Sequence, residues 1–195
     1  MKTEFEVRFI NVKEENIRNL LKAKGGRLIS EKYLMKRQTF DFNKEDIIAG
    51  EKKWIRVREE KGKTTLTLKH ITDKTRVDGV KEIEVMVDSF ENTIELIKNM
   101  GFKEGPYQEN YREAWQIDRT ISTIDTWPGL QPFLEIEGQN EEDVNNVASI
   151  LGFNMSDGFF GSIDAIYEHQ YKISSNDFNA IMRLDFANYL EILMN

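Results

Sequence analysis

The sequence contains no cysteine, only three prolines and only two histidines among 195 residues. The absence of cysteine excludes disulfide bonds, thiolate metal sites and cysteine nucleophiles. His70 falls on the apolar side of its strand and His169 lies in the C-terminal part, so neither is a good candidate for a base or a ligand. No glycine-rich phosphate loop and no long apolar window that could cross a bilayer is present. Carboxylates and cations are therefore left to carry the chemistry.

Positive charge is also in short supply. Lys and Arg number 27 against 34 Asp and Glu, which gives a net charge of −7. This balance argues against a general affinity for nucleic acid or for an anionic membrane surface. The first residues have no apolar signal-peptide core, so we expect a cytoplasmic protein. Any anion site must be a local concentration of Lys and Arg.

Three strand-like segments carry a pair of glutamates at positions i and i+2, and each leads into an amphipathic helix that ends at a glycine. The pairs are Glu4/Glu6, Glu82/Glu84 and Glu135/Glu137. Asp88 or Ser89 is expected to cap the second helix and Asn140 the third. The chain therefore repeats a unit of one acidic strand followed by one helix.

Five further segments are rich in β-branched and aromatic residues, which is typical of strands. They span residues 33–42, 53–59, 64–70, 111–117 and 120–127. Turns are predicted at 59–64, with Gly62 at a positive φ, and at 117–120. The three prolines, Pro106, Pro128 and Pro132, are expected in loops. Together this predicts about eight strands in antiparallel hairpins.

Each strand has one apolar and one polar face, as where Arg56 and Arg58 oppose Ile55 and Val57. An open antiparallel sheet with one wet face would explain this pattern. Three or more amphipathic helices, however, need an apolar sheet surface to cover. Closing the strands into a barrel with the apolar faces outward provides that surface and sends the charged faces into the interior. We therefore expect a mainly β, α+β fold with a barrel and outer helices.

Charges enclosed in a barrel are costly unless they are paired or bind something. Opposed carboxylates suit divalent cations, and arginine forks with a lysine suit phosphate oxygens. The pattern thus predicts a metal and polyphosphate site. Taken alone, Arg56 and Arg58 would more readily be solvated strand residues paired with carboxylates, and only their occurrence beside three strands with glutamate pairs reverses that interpretation. Trp54 could stack on a nucleobase at the mouth, although packing is its more ordinary role, and Trp115 and Trp127 are predicted to be structural.

These residues resemble the CYTH family, the triphosphate tunnel metalloenzymes, over roughly residues 3–153. The matching motifs are E-x-E-x-R at 4–8, R-x-R at 56–58, T-x-T-x-K at 65–69, E-x-E at 82–84, R-x-x-W at 112–115 and IDTWPGLQPFLEIEG at 124–138. Members include class IV adenylyl cyclases, thiamine triphosphatases and inorganic triphosphatases. The resemblance implies an eight-stranded antiparallel tunnel that binds Mg²⁺ or Mn²⁺ between substrate phosphates and acidic side chains.

The resemblance also implies roles for individual positions. The metal ligands would be Glu4, Glu6, Glu135 and Glu137. The catalytic residues would be Glu4, Glu6 and Asp125, with Asp125 assisting a metal or the attacking group. The phosphate-binding residues would be Arg56, Arg58, Lys69 and Arg112, and we add Arg8 and Arg37 to this set as further phosphate-binding candidates. Glu82 and Glu84 would be additional acids of the tunnel.

Two positions depart from the usual family pattern. Arg8 stands where the family has lysine, which exchanges a compact cation for a planar fork. Arg37 stands where many hydrolytic members have an acidic residue, and this basic form resembles the bacterial cyclase-type branch. The sequence therefore favours a class IV adenylyl cyclase that converts ATP to cyclic AMP and pyrophosphate.

Two alternatives stay open at this point. One is hydrolysis of inorganic triphosphate, thiamine triphosphate or a nucleoside triphosphate. The other is a module that binds polyphosphate or a nucleotide without catalysis. A lipid-binding barrel is disfavoured because it would need an apolar lumen. No nucleic acid or membrane partner is expected.

The C-terminal part differs in character, so we divide the chain into a tunnel barrel at residues 1–153 and a helical extension at 154–195. Ser162 is predicted to cap a short helix that runs through Tyr167. Asn176 or Asp177 is predicted to cap a second helix. That helix would carry Phe178, Ile181, Met182, Leu190 and Leu193. The extension is expected to pack on the barrel exterior or on a partner chain, and it could serve a homodimer.

Overall fold

The computed structural model describes residues 1–42, 52–73, 76–160 and 162–189. Its strands are β1 (Lys2–Phe9), β2 (Arg27–Asp41), β3 (Lys52–Glu60), β4 (Lys63–Ile71), β5 (Val80–Val87), β6 (Lys103–Ile117), β7 (Thr120–Thr126), β8 (Phe133–Gly138) and β9 (Arg183–Leu184). Its α-helices are α1 (Glu14–Ala23), α2 (Phe90–Asn99), α3 (Glu141–Ile150), α4 (Asp164–Tyr171) and α5 (Ser175–Ala180). None of the described helices has the length and apolar character that crossing a membrane requires.

The first eight strands close into an antiparallel barrel. Neighbours follow the order β2, β3, β4, β5, β1, β8, β7 and β6, and β6 returns to pair with β2. Strict alternation then sends one face of every strand inward. The hairpin between β3 and β4 turns at Lys61 and Gly62, both at positive φ, as predicted for Gly62. The predicted closed barrel with inward charged faces is confirmed.

Helices cover the outer surface of the barrel on two sides. α1 and α3 pack on β1, β7 and β8 around a core that includes Val7, Leu134 and Ile136. α2 covers the outer face of β2 and β3 through a smaller core that includes Phe40 and Val57. The Ser89 hydroxyl caps α2 and the Asn140 side chain caps α3, as the sequence predicts. Each acidic strand does lead into one of these helices.

The outer face of β5 remains uncovered by the described residues, contrary to the expectation that helices cover the apolar surface. Ile83 is 48% exposed and Val85 is 50% exposed. On α2, Leu96 and Met100 are 61% and 65% exposed, so the apolar stripe of this helix is wider than its contact with the barrel. α2 follows β5 in sequence but contacts β3 and β4, and it shares a core with Phe40 of β2.

Strand β6 is longer than the sequence predicts and contains a proline. The expectation that all three prolines lie in loops is wrong for Pro106, which lies inside Lys103–Ile117. The register between β2 and β6 shifts between Gln38 and Phe40, opposite this segment. Such a bulge accommodates a residue that has no N–H to donate. The pairing of β6 with β2 is therefore interrupted near Pro106, although β6 itself continues as one strand from Lys103 to Ile117.

The C-terminal extension lies over one end of the barrel. Phe178 and Tyr167 pack against Trp127 and Phe133, which belong to the barrel, and β9 pairs in parallel with β6 at Tyr107. The predicted long second helix is wrong, since α5 is capped by Ser174 and ends at Ala180. Leu190 and Leu193 lie outside the described residues.

The first predicted helix of the extension does form, but it spans Asp164–Tyr171 and its N-cap is Ile163. The Ser162 hydroxyl instead donates to the Asp164 carboxylate. The segment before this helix is bound to β1, because Phe159 and Arg8 exchange backbone hydrogen bonds of 2.8 and 3.0 Å. The start of the extension is therefore held directly against β1 of the barrel.

Candidate active site

A cavity of about 740 Å³ runs through the barrel interior. Every residue that the sequence singles out as a site residue lines it. These residues are Glu4, Glu6, Arg8, Arg37, Arg56, Arg58, Lys69, Glu82, Glu84, Arg112, Asp125, Glu135 and Glu137. The cavity falls within the size range of small-molecule sites, roughly 300–1,000 Å³. The structure therefore brings all of the predicted residues together, while their individual roles stay predictions.

One wall of the cavity, formed by β1 and β8, is acidic. Glu6 and Glu137 face each other directly across the strand pair. Glu4, Glu6 and Glu135 are all buried. Opposed carboxylates on adjacent strands repel each other unless cations intervene. We call these four glutamates, Glu4, Glu6, Glu135 and Glu137, the acidic wall.

Cations intervene at three of the four glutamates. Lys69 Nζ lies 2.8 Å from Glu4. Arg8 bridges Glu6 at 2.9 Å and Glu135 at 2.7 Å. Among the described residues Glu137 forms no ion pair with a basic side chain. The acidic wall therefore keeps one carboxylate, that of Glu137, without an ion-pair partner among the described residues.

The pKa values of the acidic wall reflect this arrangement. Burial raises the pKa of Glu137, and repulsion from Glu135, Glu6 and Glu4 raises it further. Burial also raises the pKa values of Glu4 and Glu6, although Lys69 and Arg8 oppose that shift. Burial alone would raise the pKa of Glu135, but Arg8 and Arg112 outweigh it and lower the pKa to about 2. Negative charge is thus in excess around Glu137.

Arg112 links the acidic wall to β7. Its guanidinium donates to both oxygens of Asp125, at 2.7 and 2.5 Å, and to Glu135 at 2.7 Å. Burial raises the pKa of Asp125 despite the neighbouring Arg112. A guanidinium held by two carboxylates is fixed in orientation. Asp125 therefore positions Arg112 at the cavity surface.

The opposite wall, formed by β2 and β3, is cationic. It consists of Arg37, Arg56 and Arg58, which we call the arginine cluster. Within the described part of the chain, the Nε atom of each of these arginines is buried and has no hydrogen-bond partner. Burial and then the neighbouring Arg58 lower the pKa of Arg56 to about 10. Buried N–H groups without acceptors are a ready site for anionic oxygens.

Arg37 is the most isolated charge of the cluster. Burial lowers its pKa, and repulsion from Arg56, Arg58 and Arg112 lowers it further. Its guanidinium donates to the Asn110 side-chain oxygen. The guanidinium carbon also lies 4.5 Å from the centre of the Trp127 ring. No ion pair with Arg37 occurs among the described residues, so its charge stays available.

The two further acids of the tunnel lie between these walls. Glu84 sits 3.5 Å from Arg56 and 3.4 Å from Arg58, and it accepts a 2.8 Å hydrogen bond from Thr67. The Glu82 carboxylate lies 3.7 Å from Lys69. Glu84 is only loosely tied to the arginines, because both distances are long for a charge-assisted hydrogen bond. It can give way to a stronger anion.

A family model described as the CYTH domain matches residues 2–156 of the 195. The chain belongs to the CYTH family. A curated relative from Methanocaldococcus jannaschii, provisionally named an adenylate cyclase, is 33% identical over 101 residues. That match covers 50% of this chain and 55% of the relative, so the chain spans about half the length of the curated relative it matches.

Solved structures share the CYTH fold. A Pyrococcus horikoshii protein is 26% identical with a TM-score of 0.66, covering 80% of this chain and 93% of its own. A Vibrio parahaemolyticus protein, provisionally named an adenylate cyclase, is 14% identical with a TM-score of 0.69, covering 86% and 98%. A Hippeastrum protein, named as an adenylyl cyclase and described as having a dominant triphosphatase activity, is 17% identical with a TM-score of 0.57, covering 87% and 96%. At 14% and 17% identity, the similarity to the last two proteins shows a shared fold and nothing more.

CYTH proteins are triphosphate tunnel metalloenzymes, which implies a divalent cation. Among the described residues, no three acidic or histidine side chains are already gathered into a metal-binding arrangement. The reason is that Glu4, Glu6 and Glu135 are turned toward Lys69, Arg8 and Arg112. The donor set nevertheless fits, since Mg²⁺ prefers carboxylate oxygens and the excess negative charge at Glu137 would be relieved by a cation.

Some residues of the CYTH tunnel were missed by the sequence analysis. Gln108 lines the cavity and Asn110 is fully buried beside it. Their half of β6 reads as a loop because of Gly105 and Pro106. The polar residues at 108, 110 and 112 do recur with the period of a strand, and that signal could have found them. Trp127, predicted to be only structural, also lines the cavity.

The extension contributes to the CYTH tunnel as well. Its side chains at the end of the cavity are Ser162, Ile163, Asp164, Asn176, Phe178 and Asn179. Lys52, at the start of β3, lies 3.4 Å from the Asp164 carboxylate, and Trp54 lines the same cavity. The extension packs on the barrel, and in addition it places side chains at the end of the cavity. No sequence signal marks these residues, because their position depends on how the extension folds back.

Proposed function

We propose that this protein is a divalent-metal-dependent enzyme that acts on a triphosphate substrate inside the tunnel, as a class IV adenylyl cyclase that converts ATP to cyclic AMP and pyrophosphate. The observation that carries the proposal is the separation of charge across one cavity. The acidic wall suits metal ions, and the arginine cluster facing it suits phosphate oxygens. A metal-bound triphosphate is the ligand that satisfies both walls at once.

In this proposal Glu4, Glu6, Glu135 and Glu137 would hold Mg²⁺ or Mn²⁺. When bound, the ion would neutralise phosphate charge and favour ionisation of the attacking hydroxyl group. The cations of the chain have a separate task, which is to bind and orient the phosphate chain. The members of this cationic set are Arg8, Arg37, Arg56, Arg58, Lys69 and Arg112.

The chain's own residues favour catalysis through positioning. In cyclisation the ribose 3′ hydroxyl loses its proton to solvent, and its oxygen forms a bond to the α-phosphorus. The bond from that phosphorus to the bridging oxygen breaks, and this oxygen leaves with pyrophosphate. Arg112 is fixed by Asp125, so it can stabilise phosphate charge without reorganising. Lys69 and Arg8 are held by carboxylates that a metal ion would engage instead, which frees these cations for phosphate oxygens.

Hydrolysis of a triphosphate is the second candidate. Every strong recognition element of the cavity is a charge that matches phosphate or metal, and the arginine cluster needs no nucleoside. Inorganic triphosphate, thiamine triphosphate or a nucleotide would satisfy these groups equally. The Hippeastrum protein, which is described as having a dominant triphosphatase activity, has the same fold. Hydrolysis is therefore supported nearly as well as cyclisation.

The test is a product assay. The protein is incubated with Mg²⁺ or Mn²⁺ and with ATP or inorganic triphosphate, and products are separated by chromatography. Cyclic AMP with pyrophosphate supports the cyclase, and orthophosphate supports hydrolysis. Binding without turnover would instead indicate a non-catalytic module. Glu4→Gln and Glu137→Gln should abolish turnover while far-ultraviolet circular dichroism stays unchanged. Full activity in both variants would exclude these residues from the metal site.

A further inference from the structure

We propose that Asn110 is a positioning residue that orients Arg37 and leaves its positive charge available to the substrate, because it supplies a neutral amide where a carboxylate would form an ion pair with the arginine. This inference rests on the proposed function, since it concerns the same triphosphate site. Asn110 is fully buried and does not line the cavity, so it acts through Arg37 rather than on the substrate.

Arg37 and Asn110 are in direct contact. The Arg37 guanidinium donates to the Asn110 oxygen, while the Asn110 amide nitrogen donates to the Tyr111 carbonyl oxygen at 3.2 Å. That second hydrogen bond fixes which end of the amide faces Arg37. On its other side, Arg37 stacks on Trp127 at 4.5 Å. The guanidinium is therefore held by groups that carry no formal charge.

Two other arginines of the tunnel are held by carboxylates instead. Arg112 is held by Asp125 and Glu135, and Arg8 is held by Glu6 and Glu135. A carboxylate holds an arginine firmly but cancels its charge. An amide oxygen gives orientation without cancelling the charge.

Strand β6 places a second amide side chain beside Arg37. Gln108 lies directly opposite Arg37 in the β2–β6 register and lines the cavity. The inward-facing residues of β6 that adjoin Arg37 are thus both amides. Burial, and then repulsion from Arg56 and Arg58, makes this position costly for a cation. A carboxylate at 108 or 110 would relieve that cost, so the amides give up stability and preserve positive potential for an anion.

The test is the Asn110→Asp variant, measured by calorimetric titration with inorganic triphosphate in the presence and absence of Mg²⁺. We expect the Kd for triphosphate to rise at least tenfold and the Tm of the ligand-free protein to rise as well. A merely structural role for Asn110 predicts the opposite for stability, because a disrupted amide contact would lower the Tm. The Gln108→Glu variant should likewise raise both the Kd for triphosphate and the Tm of the ligand-free protein. It replaces Asn110→Asp in the experiment if that variant does not fold.

A matched control is Gln116→Glu. Gln116 lies on the same strand and its amide oxygen also accepts a hydrogen bond from an arginine, Arg27, but this pair is exposed and outside the cavity lining. Triphosphate affinity should be unchanged there. A double-mutant cycle with Arg37→Met completes the design. Since the Asn110→Asp substitution acts through Arg37, it should weaken binding little once Arg37 is removed.

Unchanged triphosphate affinity in Asn110→Asp, or an equal loss with and without Arg37, would overturn the inference while the proposed function stands. Failure of the unmodified protein to bind triphosphate at all would overturn both. The two failures are therefore distinguishable in one set of titrations.

Discussion

Replacement of Glu137 by glutamine should stabilise the metal-free protein while removing its metal-dependent activity. Glu137 lies directly opposite Glu6, and Glu135 and Glu4 add to the repulsion that raises its pKa. Like charges placed opposite each other on neighbouring strands cost roughly 0.2–1 kcal/mol. With several acidic neighbours, we expect a gain of about 1 kcal/mol in the free energy of unfolding at neutral pH, which corresponds to about 2–4 °C in Tm.

Thermal unfolding in a chelating buffer and in Mg²⁺ checks this expectation. A ligand that binds only the folded state stabilises it, by about 2.7 kcal/mol at a concentration of 100 Kd. The unmodified protein should gain Tm on addition of Mg²⁺, and Glu137→Gln should lose most of that gain. A variant that melts below the unmodified protein in chelator, and responds to Mg²⁺ just as strongly, would refute the reasoning.

Glu135→Gln is the contrasting control on the same strand. Arg8 and Arg112 each lie 2.7 Å from Glu135, so the loss of its charge should destabilise the protein by about 1.5–3 kcal/mol. Burial opposes the shift, but these arginines lower the pKa of Glu135 from 4.5 to about 2. A lowered folded-state pKa contributes stability above the unfolded-state value and loses it as the pH falls toward the folded-state value. The difference from the unmodified protein should therefore narrow between pH 4.5 and about pH 2 in denaturant titrations.

Three further outcomes follow from particular contacts. Arg37→Met should weaken triphosphate binding about tenfold or more in calorimetry without lowering the Tm, because it removes a repelled buried cation. Glu14→Gln should lower stability by about 1 kcal/mol at neutral pH, and the difference should shrink as the pH falls below 4.5, because hydrogen bonds from Lys32 and others outweigh burial and lower the Glu14 pKa. Gly158→Ala should cost about 1–3 kcal/mol in chemical denaturation, because its Cβ would lie 2.4 Å from Val7. Equal midpoints for the parent and variant proteins would contradict each of the last two expectations.

The sequence by itself determined the barrel and its polarity. Period-two alternation decides which side chains share a face, and amphipathic helices require an apolar surface to cover. These local rules were enough to place Glu4, Arg56 and Lys69 inside one enclosure. They also gave the helix caps at Ser89 and Asn140, because capping depends on residues within one turn.

The tertiary structure decided the rest. Strand β6 could not be read past Pro106, since only the bulge against β2 makes a proline acceptable there. The pairing of carboxylates with cations is also not encoded locally. Arg8 forms ion pairs with Glu6 and Glu135, whereas Arg37 donates to the amide of Asn110. These partners depend on which strands become neighbours when the barrel closes.

The path of the extension is the clearest case. Its helices are short and their apolar residues could pack on several surfaces, so the sequence did not show that Asp164 and Phe178 would reach the end of the cavity. Strand periodicity fixes the direction of a side chain, because it follows from backbone geometry. The position of one segment against another follows from the burial of surfaces that are distant in sequence, and only the folded chain supplies that information.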